Sequence, residues 1–209
     1  TGLTFNGQVI PVTLDSTHLV FRTKSRQVFK GEHELDNHRM SKDMVASIWL
    51  DPQVPASPQA LEAIHNAEYI FFCCGSLYGS VVVNLLPTGV KEALTESTAA
   101  KILITNLIST RNENDEFMPE DFITILQYYT DLKNPLQYLI IPDLTRHQFE
   151  ANHPKVAQRY DNEHSHFLGW TDEECKAAMQ MGATIIRHAA TTLDPVHSRV
   201  RHDPQALAL

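Results

Sequence analysis

Four short apolar runs recur along the chain with helical patterns between them: EYIFFCC, KILITN, QYLIIP and ATIIRH. Each is too short for a buried helix and rich in the residue types that favour strands. A strand that returns parallel to its neighbour needs a crossover of a dozen or more residues, usually a helix. The intervening segments supply such crossovers, so the alternation predicts an α/β fold, Rossmann-like, with a mostly parallel sheet and flanking helices. EYIFFCC is continuous enough to predict a strand buried on both faces.

The first fifty residues read differently. HLVFRT and RQVFKG flank a Lys24-Ser25 turn and predict an N-terminal β-hairpin, and MVASIWL predicts a further strand ended by Asp51-Pro52. In SPQALEAIHNA, Ser57 stands where an N-cap belongs and Pro58 fits the first helical position. Helices are predicted over Tyr78 to Leu86, around Val90 to Glu96, through MPEDFITILQYYTDL, and in DEECKAAMQMG up to Gly182. Residues 152–170, from Asn152 to Trp170, form the longest polar insertion and read as a loop or lid. With 209 residues, the length suits one α/β domain over 1–209.

The formal net charge of −8 argues against a general nucleic-acid binder, because phosphate-backbone affinity depends on clustered Lys and Arg. No apolar run approaches the roughly 20 residues of a membrane helix. TGLTFNGQVIPVT lacks the pattern of a signal peptide, and three cysteines make a poor disulfide framework. These readings predict a cytoplasmic protein with no nucleic-acid or membrane partner.

In open parallel sheets, ligands bind outside the carboxyl ends of the strands. Three polar loops leave such ends: CCGSLYGS, TNLISTRNENDEF and PDLTRHQF. In the first, Gly75 allows close backbone approach and Ser76 and Ser80 add hydroxyls. A helix starting near Tyr78 would offer free N–H groups to a phosphate. A serine-capped strand-to-helix turn is the other reading. Asn106 follows directly on a strand, where an amide can read a base or sugar or bond a neighbouring loop. Arg111, Glu113, Asp115 and Glu116 read as a solvated connection. The ending HSRVRHDP carries Arg199, Arg201, His202 and Asp203, a candidate anion site because arginine offers a planar fork of donors. The alternative is a surface pair near the chain end.

Eleven histidines raise a metal hypothesis, in which His164 and His166 are joined by His188, His197 or His202. Cys73-Cys74 is too tight for the usual zinc spacing. A Cys74 nucleophile competes with a small apolar filler.

The segment AIHNAEYIFFCCGSLYGSVVVNLLPTGVKEAL resembles the central motif of the gluconeogenesis-factor (YvcK-type) family, relatives of 2-phospho-L-lactate transferase (CofD-like). GQVIPVT, LVFRTKSRQVFKGE, KILITNL and the closing RHDPQALA fall in the family's order. The resemblance implies a cytoplasmic Rossmann-like regulator that binds UDP-sugars and supports growth and cell shape on gluconeogenic carbon sources. A homodimer is left open. Its enzyme branch implies instead a transferase moving a phospholactyl group from a guanylyl donor to a deazaflavin with magnesium. By position it implies a ligand site at Gly75, Ser76, Tyr78, Ser80, Asn84, Asn106, Tyr160, Arg201, His202 and Asp203. Tyr160 would stack on a base or sugar, and Arg201 would pair with the diphosphate. Cys73 and Cys74 stand where the family has Gly-Pro, Gly79 replaces a Thr, and STRNENDEF replaces a Gln-x-Gly-Glu-Thr stretch. The family's opening Gly-rich loop has no counterpart here, so the resemblance implies its C-terminal portion. A metal-stabilised interaction module remains the third class.

Overall fold

The computed structural model describes residues 7–194 and 199–207. The N-terminal part forms a three-stranded antiparallel sheet from β1 (His18–Thr23), β2 (Val28–Lys30) and β3 (Val45–Asp51), in the order β2-β1-β3. β1 and β2 make the expected hairpin. Between β2 and β3 lies a short helix that the sequence did not announce, α1 (Glu32–Asn37).

α2 (Pro58–Asn66) follows with Ser57 as its cap, the hydroxyl accepting from the Ala60 N–H at 3.2 Å. That hydroxyl also donates to the Pro11 carbonyl at 2.6 Å, fastening the preceding segment. Ser57→Ala should therefore lower the unfolding free energy by about 1 kcal/mol, read by denaturant titration.

The parallel sheet comprises β4 (Tyr69–Phe72), β5 (Ala100–Ile104), β6 (Tyr138–Pro142) and β7 (Thr184–His188), side by side in chain order. The crossovers are α3 (Val90–Glu96), α4 (Pro119–Thr130), the pair α5 (Arg146–Asn152) and α6 (Pro154–Asn162), and α7 (Lys176–Gln180). A hairpin of β8 (Thr191–Leu193) and β9 (Val200–His202) and a last turn, α8 (Pro204–Leu207), close the described chain. No helix of the described residues is long and apolar enough to cross a membrane.

One core runs through both sheets. Phe21 and Ile48 of the antiparallel sheet join Leu103 and Leu139 of the parallel one, with Phe122 and Leu126 of α4 among them. Each fully buried side chain of this kind contributes about 1.5–3 kcal/mol. The Ile48 N–H donates to the Tyr129 hydroxyl at 2.8 Å, tying β3 to α4, and burial pushes that phenol up to about 12.

Four expectations need correction. β4 is an edge strand, with Tyr69 61% and Phe71 50% exposed, so its apolar run is not buried on both faces. The predicted helix over Tyr78 to Leu86 is a π-helical turn (Leu77–Val81) followed by a 3₁₀ turn (Val82–Leu85). There the Ser76 carbonyl accepts from both Ser80 and Val81, and the Val81-Val82-Val83 run disfavours a regular helix. The insertion at 152–170 contains α6, started by Pro154 and anchored by buried Tyr160. The loop 106–118 is not solvated: Ser109, Asn112, Glu113 and Asn114 are all buried. Asn112 ties this loop to α1 and β3, its side-chain amide donating to the Leu35 carbonyl and its backbone carbonyl accepting from the Val45 N–H.

Gly169 marks the tightest backbone approach. A Cβ there would sit 2.2 Å from the Leu144 carbonyl oxygen, while the Gly169 carbonyl accepts from the Arg146 N–H. Gly169→Ala should cost about 2 kcal/mol in denaturant unfolding, because backbone must move.

Candidate functional site

β4 and β5 end at Phe72 and Ile104, and the loops leaving them carry Gly75 and Asn106. Pairing in register puts those loops side by side, and the Asn106 amide donates to the Gly75 carbonyl at 2.7 Å. The Asn106 oxygen in turn lies 3.4 Å from the Asn114 amide. Beyond this bridge lies a cavity of about 620 Å³, walled by the two loops, the end of α6 and strand β9.

Five of the expected residues line it: Gly75, Asn106, Tyr160, Arg201 and His202. The GSLY loop is spent differently from a phosphate cradle. The Glu113 carboxylate accepts from the Ser76 hydroxyl at 2.6 Å and from the Leu77 N–H at 2.7 Å. The Ser76 hydroxyl also accepts from the Gly79 N–H at 2.9 Å. The donors that the cradle reading required are thus filled from within, by the Glu113 carboxyl and the Ser76 hydroxyl. Burial raises the Glu113 carboxyl above its usual range, against the lowering pull of the hydrogen bonds from Ser76, Leu77 and Tyr78. Gly75 matters by its missing side chain, since a Cβ there would meet the Ser80 Cβ at 2.9 Å.

The other expected residues divide. Tyr78 is buried in the main core, where desolvation raises its phenol, so it faces no ligand. Ser80 is exposed, and its carbonyl accepts from the Asn84 amide at 2.7 Å, outside the cavity wall. Tyr160 is only 4% exposed; its hydroxyl accepts from the Val200 N–H at 2.9 Å, and the Arg199 guanidinium lies 5.5 Å over its ring. The ring face that would stack on a base is therefore taken by an arginine of the protein itself. Asp203 caps α8, accepting from the Gln205 and Ala206 N–H groups, as the chain-end alternative supposed. His202 Nε2 lies 3.1 Å from the Thr105 carbonyl, so this nitrogen carries the proton, and burial lowers the imidazole towards its neutral form.

The charge in the cavity is one-sided. Arg39, Arg111, Arg199 and Arg201 line it with one carboxylate, Glu163. Glu163 pairs with Arg199, whose hydrogen bond holds that carboxyl below the usual carboxylate range. Among the described residues, Arg39, Arg111 and Arg201 have no ion-pair partner. Arg111 reaches the Met40 carbonyl at 3.3 Å, and Arg201 its neighbouring Val200 carbonyl at 3.5 Å. Three guanidinium groups without carboxylates, gathered in a chain of net charge −8, are suited to a multiply charged anion.

Among the described residues, no group of three or more His, Cys, Asp or Glu side chains is placed to hold a metal ion. His197, one of the histidines in the metal hypothesis, lies outside the described residues. Cys73 and Cys74 are both exposed, which removes the reading of them as core filling. The surrounding protein, with Cys73 beside it, pushes the Cys74 thiol up, away from the low pKa of an activated nucleophile.

Residues 2–190 match the family described as 2-phospho-L-lactate transferase CofD. The chain belongs to the CofD family. A relative from Thermotoga maritima, assigned provisionally as a gluconeogenesis factor, is 30% identical over 208 residues, covering 99% of this chain and 62% of its own length. The gluconeogenesis factor of Listeria monocytogenes is 31% identical over 127 residues, covering 60% of this chain and 38% of its own length. The crystal structure of a Bacillus halodurans protein of the UPF0052 family superposes with a TM-score of 0.82 at 22% identity, over 97% of this chain and 60% of that one. The chain thus spans less than two thirds of the length of these relatives.

Two cavity arginines escaped the sequence reading. Arg39 follows α1, which had no clear pattern, and nothing local connects it with residue 201. Arg111 was visible, but its acidic neighbours suggested a solvated loop. The signal against that was the Asn-Glu-Asn run at 112–114, three polar residues that the fold buries, with both asparagine amides and the Glu113 carboxyl bonded to neighbouring segments and the Asn112 side-chain oxygen left without a partner among the described residues.

Proposed function

We propose that the cavity at the ends of β4 and β5 binds the diphosphate of a nucleotide-sugar, and that the protein is a regulator of the gluconeogenesis-factor type, acting on carbon metabolism and cell shape. The observation that carries this reading is the convergence of Arg39, Arg111 and Arg201 on one cavity without carboxylate partners. The volume of about 620 Å³ falls within the range of small-molecule sites, and the Thr110 and Ser165 hydroxyls and the Asn106 amide add groups that suit a sugar. The relatives' name, gluconeogenesis factor, supports the carbon-metabolism part of this reading.

Calorimetric titration with UDP-sugars, and with uridine as a control lacking phosphate, tests the reading. Saturable binding of the UDP-sugar that weakens as salt is raised, with none for uridine, is expected. Equal binding of uridine, or no binding of any UDP-sugar, would overturn it. The same protein incubated with a deazaflavin, magnesium and the activated phospholactyl donor should give no product. Turnover would replace the regulatory reading with the transferase one.

A further inference from the structure

One wall of the cavity is the loop after β5, which supplies Ser109, Thr110 and Arg111, and another is the segment after α6, which supplies Glu163, His164 and Ser165. A short antiparallel ladder joins them. The Leu168 N–H donates to the Leu107 carbonyl and the Ser109 N–H to the His166 carbonyl, both at 2.8 Å, around the Ile108–Phe167 bridge. The inner end of this ladder belongs to an apolar cluster that includes Leu107, Phe149 and Phe167. Its outer end is held by polar side chains. The Ser109 hydroxyl donates to Asp115 Oδ1 at 2.9 Å and accepts from the His166 N–H at 3.0 Å. His166 Nδ1 lies 3.2 Å from that hydroxyl and 3.3 Å from Asp115 Oδ1. A hydroxyl has one hydrogen and two acceptor sites. The Ser109 hydrogen is used on Asp115, so His166 Nδ1 carries its own proton and donates into the pair. The Ser109–Asp115 bond also closes the turn that carries Thr110 and Arg111.

We propose that His166 is a positioning residue for the cavity: its neutral imidazole clasps the two walls together through Ser109 and Asp115, and its protonation opens the clasp. The proton is added at Nε2, on a side chain that is 16% exposed. Burial opposes that charge, and so does the Arg146 guanidinium on α5, whereas Asp115 and Glu116 on the loop and Glu150 on α5 favour it. Arg111, Asp161 and His164 border the same polar recess. Burial outweighs the three carboxylates and holds the imidazole below its ordinary range. Opening the outer end of the ladder returns the ring to water and removes that penalty. The clasp is therefore fully made above the ordinary histidine value and is lost as pH falls through the folded value. A consequence, resting on the nucleotide-sugar reading, is that Arg111 loses its place on acidification and the ligand loses affinity. Protonation of a histidine that touched the diphosphate would act in the opposite direction.

Two measurements on the folded protein test this. Nitrogen NMR of His166, with amide exchange corrected for its intrinsic pH dependence, reads the clasp without any ligand. The neutral ring should carry its proton on Nδ1. Protection of the Ser109 and His166 amides should fall as the ring titrates, with the Leu168 amide at the inner end less affected. In His166→Asn, whose side-chain amide keeps a donor near the Nδ1 position but does not titrate, protection should stay level. A neutral ring with its proton on Nε2, or protection that ignores the titration, would overturn the proposal. Calorimetry with a UDP-sugar then reads the positioning role. Wild-type affinity should fall about 5-fold or more between about pH 7.5 and about pH 5.5, and that of His166→Asn by less than about 2-fold. An affinity that rises on acidification, or an equal fall in both proteins, refutes the link to the ligand site. No binding at either pH refutes the nucleotide-sugar reading, and the exchange result alone then decides the clasp.

Discussion

Glu113→Ala is expected to destabilise the protein by about 3 kcal/mol, the largest single effect anticipated outside the main core. The change leaves the Ser76 hydroxyl and the Leu77 N–H without their acceptor in a buried site and opens space where the carboxylate stood. Denaturant titration measures it, and a loss under about 1 kcal/mol would mean that the GSLY turn does not depend on this anchor. Glu113→Gln keeps the volume and one acceptor, so it should be the milder change. It also gives a pH signature. Burial raises the folded-state pKa of Glu113 above its ordinary 4.5. The stability associated with its neutral form is full below the unfolded value and is lost as pH rises through the folded value. Glu113→Gln should therefore compare better with wild type at pH 7 than at pH 4. A comparison that worsens as pH rises would contradict the effect of burial on this carboxyl.

Arg201→Ala is expected to weaken UDP-sugar binding about 10- to 100-fold, the range for a lost hydrogen bond to a charged group. Arg201 has no acidic partner to release, so little of its charge is committed elsewhere. The double variant Arg111→Ala, Arg201→Ala should bind more weakly still. Its affinity should vary less with salt, because fewer cationic groups face the ligand. Arg199→Ala should act differently. It removes one of the two arginine partners of Glu163, leaving Arg159, and uncovers the Tyr160 ring, so its effect should include a loss of stability that Arg201→Ala lacks.

The order of the parallel strands could be read because each apolar run is local and each crossover carries helical signals. Ser57 and Pro58 marked α2 for the same reason: a cap acts within one turn. The edge position of β4 could not be read, since exposure of Tyr69 and Phe71 depends on what lies beside the strand, and an edge run has the same letters as a central one. The π-helical turn differs from an α-turn by one hydrogen-bond register, which composition hardly records. α6 was hidden because its single buried anchor, Tyr160, stands among charges.

The site divides along the same line. Gly75 and Asn106 were legible because both follow a strand directly, where topology alone sends loops to the ligand side. The use of Ser76 was not, because its partner Glu113 lies 37 residues away and looked solvated. Tyr160 lines the cavity, and Asp203 lies one residue beyond His202, which also lines it. Their roles, under Arg199 and at the start of α8, are set by packing and capping that only the folded chain displays.

The central claim is that Arg39, Arg111 and Arg201 together hold the diphosphate of a nucleotide-sugar. A crystal structure of the protein with a UDP-sugar tests this most directly. The account predicts diphosphate density within hydrogen-bonding distance of at least two of these guanidinium groups, with Glu113 still bonded to Ser76 and Leu77. Density on the GSLY turn with Glu113 displaced, or a ligand seated away from the three arginines, would contradict it.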